Sequence, residues 1–121
     1  MGKYIIFAAT KRDCGCRFWH KGDWQATSYV LYSDGSCYRT QECVEEPPRS
    51  VKIWMDPKDF DKLKVLLAKD FDGTQSQWGS DGVQWEMHHY APSGRHLHGV
   101  RGFVQGIFVL EQIQVLLEKI R

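Results

Sequence analysis

The sequence predicts an α+β fold: a mainly antiparallel sheet with two helices on one face, a two-layer sandwich. Three observations predict it. Two glycine-containing turns, Ser33-Asp34-Gly35 and Ala91-Pro92-Ser93-Gly94-Arg95, each join runs rich in strand-forming residues. Two Leu-rich segments with helical spacing follow those hairpins. The order then recurs: Leu63–Lys69 aligns with Ile113–Lys119, and Gly35 matches Gly94, which suggests a duplicated hairpin-helix unit.

Taken in order, Tyr4 to Ala9 is a continuous apolar run and reads as a central strand buried on both faces. Thr10 to Asp23 reads as a polar loop carrying Cys14, Cys16 and the Phe18-Trp19 pair. Trp24–Tyr32 and Ser36–Val44 form the first hairpin, with Gly35 able to take positive φ at the turn. After Pro47-Pro48, the alternation of Val51, Ile53 and Met55 with Lys52 and Trp54 suits a short half-buried strand. Asp56-Pro57 opens a helix, because the Asp carboxylate can accept an orphan N–H and proline's missing donor costs nothing at the first position. Phe60, Leu63, Leu66 and Leu67 give that helix an apolar face, and it should stop before Asp72-Gly73. Thr74–Gly82 is a polar linker. Val83, Trp85 and Met87 alternate with Gln84, Glu86 and His88, a return strand runs over about 96–104, and Gly106–Ile120 is the second amphipathic helix.

The 121 residues make one domain, with a first unit over about 3–71, a linker over 72–82 and a second unit over about 83–121. Sixteen basic and fifteen acidic residues leave a formal charge of +1, so no global field steers the chain to nucleic acid or an anionic membrane. No apolar run approaches the roughly 20 residues of a membrane span. The N-terminus carries no export signal, so a cytoplasmic location and four reduced cysteines are expected.

Three groups of residues can carry chemistry. The first is the histidine-rich last hairpin. If Ala91 pairs with Arg95, then Tyr90 faces His96 and His88 faces His98, and Glu86, His88, Tyr90, His96 and His98 share one face. Paired side chains start about 5 Å apart, close enough for His88 and His98, with Glu86 as a third ligand, to hold zinc at bonds of about 2 Å. A register slip of one residue would separate His88 from His98. The same imidazoles also read as a proton-sensitive patch or as ordinary solvated strand residues. The second group, Cys14-Gly15-Cys16 with His20, has zinc-ligand chemistry but no matching second cysteine pair, and reads more simply as free thiols. The third is basic and aromatic: Lys11, Arg12, Arg17, Phe18, Trp19, His20 and Lys21, which suits RNA or single-stranded DNA.

No phosphate-binding glycine loop, nucleophile elbow or metalloprotease motif is present, so the sequence leans away from an enzyme. The expectation is a non-catalytic module that binds another macromolecule, most simply a protein, since Trp and Tyr, five of each, dominate binding hot spots. Its expected contact residues are Arg17, Phe18, Trp19, Tyr90 and His96. The alternatives are a small metal-dependent enzyme using the last hairpin, with zinc as its cofactor, and nucleic-acid binding through the loop over 11–21.

Overall fold

The register of the strands decides which side chains meet helices and which meet water. A computed structural model describes residues 2–13, 19–74 and 82–120. The elements are β1 (Ile5–Asp13), β2 (Trp24–Tyr32), β3 (Ser36–Cys43), β4 (Arg49–Trp54), α1 (Pro57–Lys69), β5 (Val83–Tyr90), β6 (His96–Gly102) and α2 (Phe108–Glu118). The six strands form one sheet in the order β4-β3-β2-β1-β5-β6, and every neighbouring pair is antiparallel. The α+β fold with a mainly antiparallel sheet is therefore present. Four strands precede α1, and two more lie between α1 and α2.

Both hairpin turns form where their residues predict. Gly35 and Gly94 each adopt φ of 89°, and the Asp34 carboxylate accepts the Ser36 N–H at 2.9 Å. Asp56 caps α1 by accepting the Lys58 N–H at 2.9 Å, with Pro57 at the first turn. The start of α2 has no side-chain cap.

Period-two alternation splits the sheet into two faces. Phe7 and Ala9 of β1, Tyr29 and Leu31 of β2, Cys37 of β3, Ile53 of β4 and Trp85 and Met87 of β5 point into the core. They meet Phe60, Leu63 and Leu67 of α1 and Val109, Leu110, Ile113, Leu116 and Leu117 of α2. Phe7, Leu31, Leu63, Ile113 and Leu117 are fully buried. Both helices thus bury their apolar stripes on one side of the sheet, and the side chains of Ala8, Thr10, Ser28, Val30 and Thr40 on the other side stay half-buried. None of the described helices is long and apolar enough to cross a membrane.

Three expectations need correction. β1 lies at the centre of the sheet, between β2 and β5, but is covered on one face only, because both helices pack on the same side. It also runs on to Asp13, since Lys11 and Arg12 pair with β2 and β5, so Thr10–Asp13 is strand and not loop. The last hairpin starts in the expected register, with Tyr90 opposite His96, and then shifts by one residue at a β-bulge. Beyond it His89 faces His98 and His88 faces Gly99, so His98 is on the helix-bearing side and away from His88. The unshifted register would have placed Val100 on the bare face. The bulge reverses that parity and buries Val100 opposite Met87 in the core.

Candidate functional site

The sheet face that the helices leave bare is built from two complete rows. In one, Ser50, Thr40, Ser28, Thr10, Glu86 and Arg101 lie side by side across all six strands. Thr10 and Ser28 exchange a hydrogen bond of 3.1 Å, and Thr40 and Ser50 one of 2.8 Å, so these short side chains satisfy one another and keep the surface low. In the next row, Lys52, Tyr38, Val30, Ala8, His88 and Gly99 are neighbours.

Toward the hairpin turns the floor deepens into an apolar pit of about 340 Å³ lined by Ile5, Ala8, Val30, Tyr90 and Gly94. Ala8 and Val30 are small and form the floor, while Ile5 and Tyr90 stand above it. On one side, Tyr32 and Tyr38 meet edge to face at 5.9 Å between centroids, and the Lys3 ammonium lies 4.7 Å above the Tyr32 ring. On the other side stand His88 and His96, the latter with its ring centroid 5.5 Å from that of Tyr90.

The histidines are held by a directional chain. Glu86 Oε1 accepts from His88 Nε2 at 2.9 Å and from Arg101 at 3.2 Å. His88 Nδ1 lies 2.9 Å from His96 Nε2. The His88 hydrogen bond, with Arg101 in support, holds the Glu86 carboxyl below the usual carboxylate range. An ionised Glu86 can only accept, so His88 donates through Nε2, and the direction of the His88 Nδ1–His96 Nε2 bond follows from the tautomers of the two rings. The His96 ring lies beside the Tyr90 ring. Gly99 makes the His88–His96 contact possible, since a Cβ there would stand 2.8 Å from His88 Nδ1 and 3.0 Å from His96 Nε2.

Among the expected ligand residues, Glu86 and His88 are therefore together, but His98 is beside Gly73 on the opposite face. Glu86 and His96 engage opposite nitrogens of the His88 ring, so they do not converge on one point. Among the described residues no three His, Cys, Asp or Glu side chains are grouped to hold a metal ion. Of the expected binding residues, Tyr90 and His96 meet at the pit. Trp19 is half-buried in the segment after β1, and Arg17 and Phe18, like Cys14 and Cys16, lie outside the described residues. Lys11 is drawn out of the basic cluster: its ammonium pairs with Glu118 at 3.2 Å on the helix side of the sheet.

Sequence reasoning missed Ile5, Ala8, Val30, Tyr38 and Lys3. A signal was present in β2, where Ser28 and Val30 alternate with Thr27, Tyr29 and Leu31. It becomes a surface only once the neighbouring strands are in register. No protein-family model matches the chain, and none of the curated proteins matches it.

Proposed function

We propose that this chain is a non-catalytic module that takes an extended segment of another protein across the bare face of its sheet. One observation carries the reading: an apolar pit lined by Ile5, Ala8, Val30, Tyr90 and Gly94 opens to solvent on that face, with Tyr38 next to Val30 and His88 next to Ala8 in the same row of the sheet. Binding energy concentrates where an apolar or aromatic anchor fills a desolvated pocket and polar groups close the rim. Here Ile5, Ala8, Val30 and Tyr90 supply the pocket, and the His96 imidazole and the Lys3 ammonium supply polar groups near it. Tyr90 packs against His96, and Tyr32 against Tyr38, so these rings lose little side-chain freedom on binding.

The test is selection from a random peptide display library, with Val30→Lys as the comparison. Val30 is half-buried, so a lysine there fills the pit without entering the core. The expected result is a set of peptides sharing an aliphatic or aromatic anchor, which bind the parent chain and lose at least tenfold in affinity, about 1.4 kcal/mol, on Val30→Lys. Absence of enrichment, or binding that ignores Val30→Lys, rejects the reading. A gel shift with random single-stranded RNA at low salt runs alongside. Retardation that Val30→Lys abolishes, with no peptide selected, would replace protein by nucleic acid as the partner.

A further inference from the structure

A recess larger than the pit lies elsewhere, on the helix-bearing face and at the end of the sheet remote from the hairpin turns. Four adjacent strands place Trp85, Lys11, Thr27 and Gln41 in one row there, and Tyr29 and Arg39 are paired in the next. α2 forms the facing wall through Gln114 and Glu118, and the space between is about 590 Å³.

Its chemistry is lopsided. Two cations and one carboxylate line it, and Lys11 takes that carboxylate, Glu118, at 3.2 Å. The Lys11 ammonium is also held between indoles, 5.8 Å from the Trp24 ring centroid and 5.7 Å from that of Trp85. Arg39 is left with a single bond, to the Ile120 carbonyl at 3.1 Å, and meets no carboxylate among the described residues. A guanidinium carries five donors in a planar fork, so most of its capacity is unspent.

Further donors stand next to it. Thr27 Oγ1 accepts from the Trp24 indole at 2.7 Å, which leaves its own O–H to give away. Tyr29 is 4% exposed, and its ring stacks on Trp85 at 6.3 Å. Burial and Glu118 push the phenol's pKa up, with Arg39 opposing, so the hydroxyl keeps its proton at neutral pH. Trp24 offers an indole surface at the rim.

We propose that this recess binds a small aromatic carboxylate, with the carboxylate on the Arg39 fork and the ring against Trp24. The anion supplies what Arg39 lacks, and the Tyr29 and Thr27 hydroxyls donate to the same oxygens. A concave, mostly preformed site with a few convergent polar groups is the usual form of a small-ligand pocket.

The probe is phenylacetate, titrated into the full chain and followed by the Trp24 indole N–H signal in 1H–15N spectra. Phenylacetamide, of the same shape but uncharged, is the control. The expected result is a saturable shift with phenylacetate in the millimolar range or below, and binding of phenylacetamide about tenfold weaker or worse. Arg39→Gln weakens phenylacetate about tenfold. That variant also loses the contact to Ile120, so Gln41→Glu serves as a second: it is exposed, its side chain makes no hydrogen bond among the described residues, and it adds a negative charge at the edge of the site. It is expected to weaken phenylacetate severalfold and leave phenylacetamide unchanged. No shift of the Trp24 signal, equal binding of acid and amide, or indifference to Gln41→Glu would each overturn the proposal.

Discussion

Replacing Gly99 by alanine separates the architecture of the bare face from the stability of the fold. The new Cβ would stand 2.8 Å from His88 Nδ1 and 3.0 Å from His96 Nε2, where van der Waals contact needs about 3.5–4 Å. Both atoms are ends of half-exposed or exposed rings, so the rings swing aside and the backbone stays. The loss is one net hydrogen bond of about 0.5–1.5 kcal/mol, at the low end because the pair is open to water. Against it stands the removal of a glycine from a strand interior, worth roughly 0.5–1 kcal/mol in alanine's favour. The two nearly cancel, so urea denaturation is expected to place Gly99→Ala within about 0.5 kcal/mol of the parent. Long-range 1H–15N spectra of the imidazoles are expected to change sharply, with His88 Nδ1 losing its hydrogen-bond partner. Unchanged imidazole signals would mean that the rings do not meet over Gly99. A loss above about 2 kcal/mol would mean that backbone, not ring ends, fills the space.

Three further outcomes follow from burial. Leu117→Ala, at a fully buried position of α2, costs about 2–5 kcal/mol in urea denaturation, whereas Val115→Ala two residues earlier, half exposed, stays within about 0.5 kcal/mol. The His89 imidazole is pulled below its usual pKa by burial and, second, by His98, so the unfolded chain takes up the proton first. Its contribution is complete above about pH 6.5 and is lost as pH falls toward the lowered native value, and His89→Leu flattens that slope. Because His89 Nδ1 finds no hydrogen-bond partner among the described residues, the same variant also gains about 1 kcal/mol at neutral pH. Burial pushes the Cys37 thiol up to about 11, so with the other three cysteines changed to serine its alkylation at pH 8 tracks global unfolding; labelling faster than unfolding would show the thiol accessible in the native state.

What the residues disclosed and what they concealed divides on physical lines. Ser33-Asp34-Gly35 and Asp56-Pro57 act within a few bonds of themselves, so the turn and the helix start could be read directly. The alternation of Trp85 and Met87 fixed which side of β5 is buried. The bulge between His89 and Tyr90 could not be read, because it arises from a competition between the turn's register and the burial of Val100. That competition moved His98 off the histidine face and brought His96 to His88. The apolar run from Tyr4 to Ala9 looked symmetrical because sequence does not say that both helices choose the same side. The pit joins Ile5, Val30 and Tyr90, which are far apart along the chain, and the recess at Arg39 joins β1, β2, β3, β5 and α2. Such sites exist only after the strands are ordered.

Adjacent residues of one strand face opposite surroundings: Leu31 lies under the two helices and Val30 is half-buried on the bare face. Stability of Val30→Lys and Leu31→Lys, measured side by side in urea, tests this most directly. Val30→Lys is expected to stay folded, within about 1 kcal/mol of the parent, while Leu31→Lys, burying an unpaired charge where the parent side chain is wholly enclosed, fails to fold. Two tolerated substitutions, or two unfolded proteins, would contradict the account.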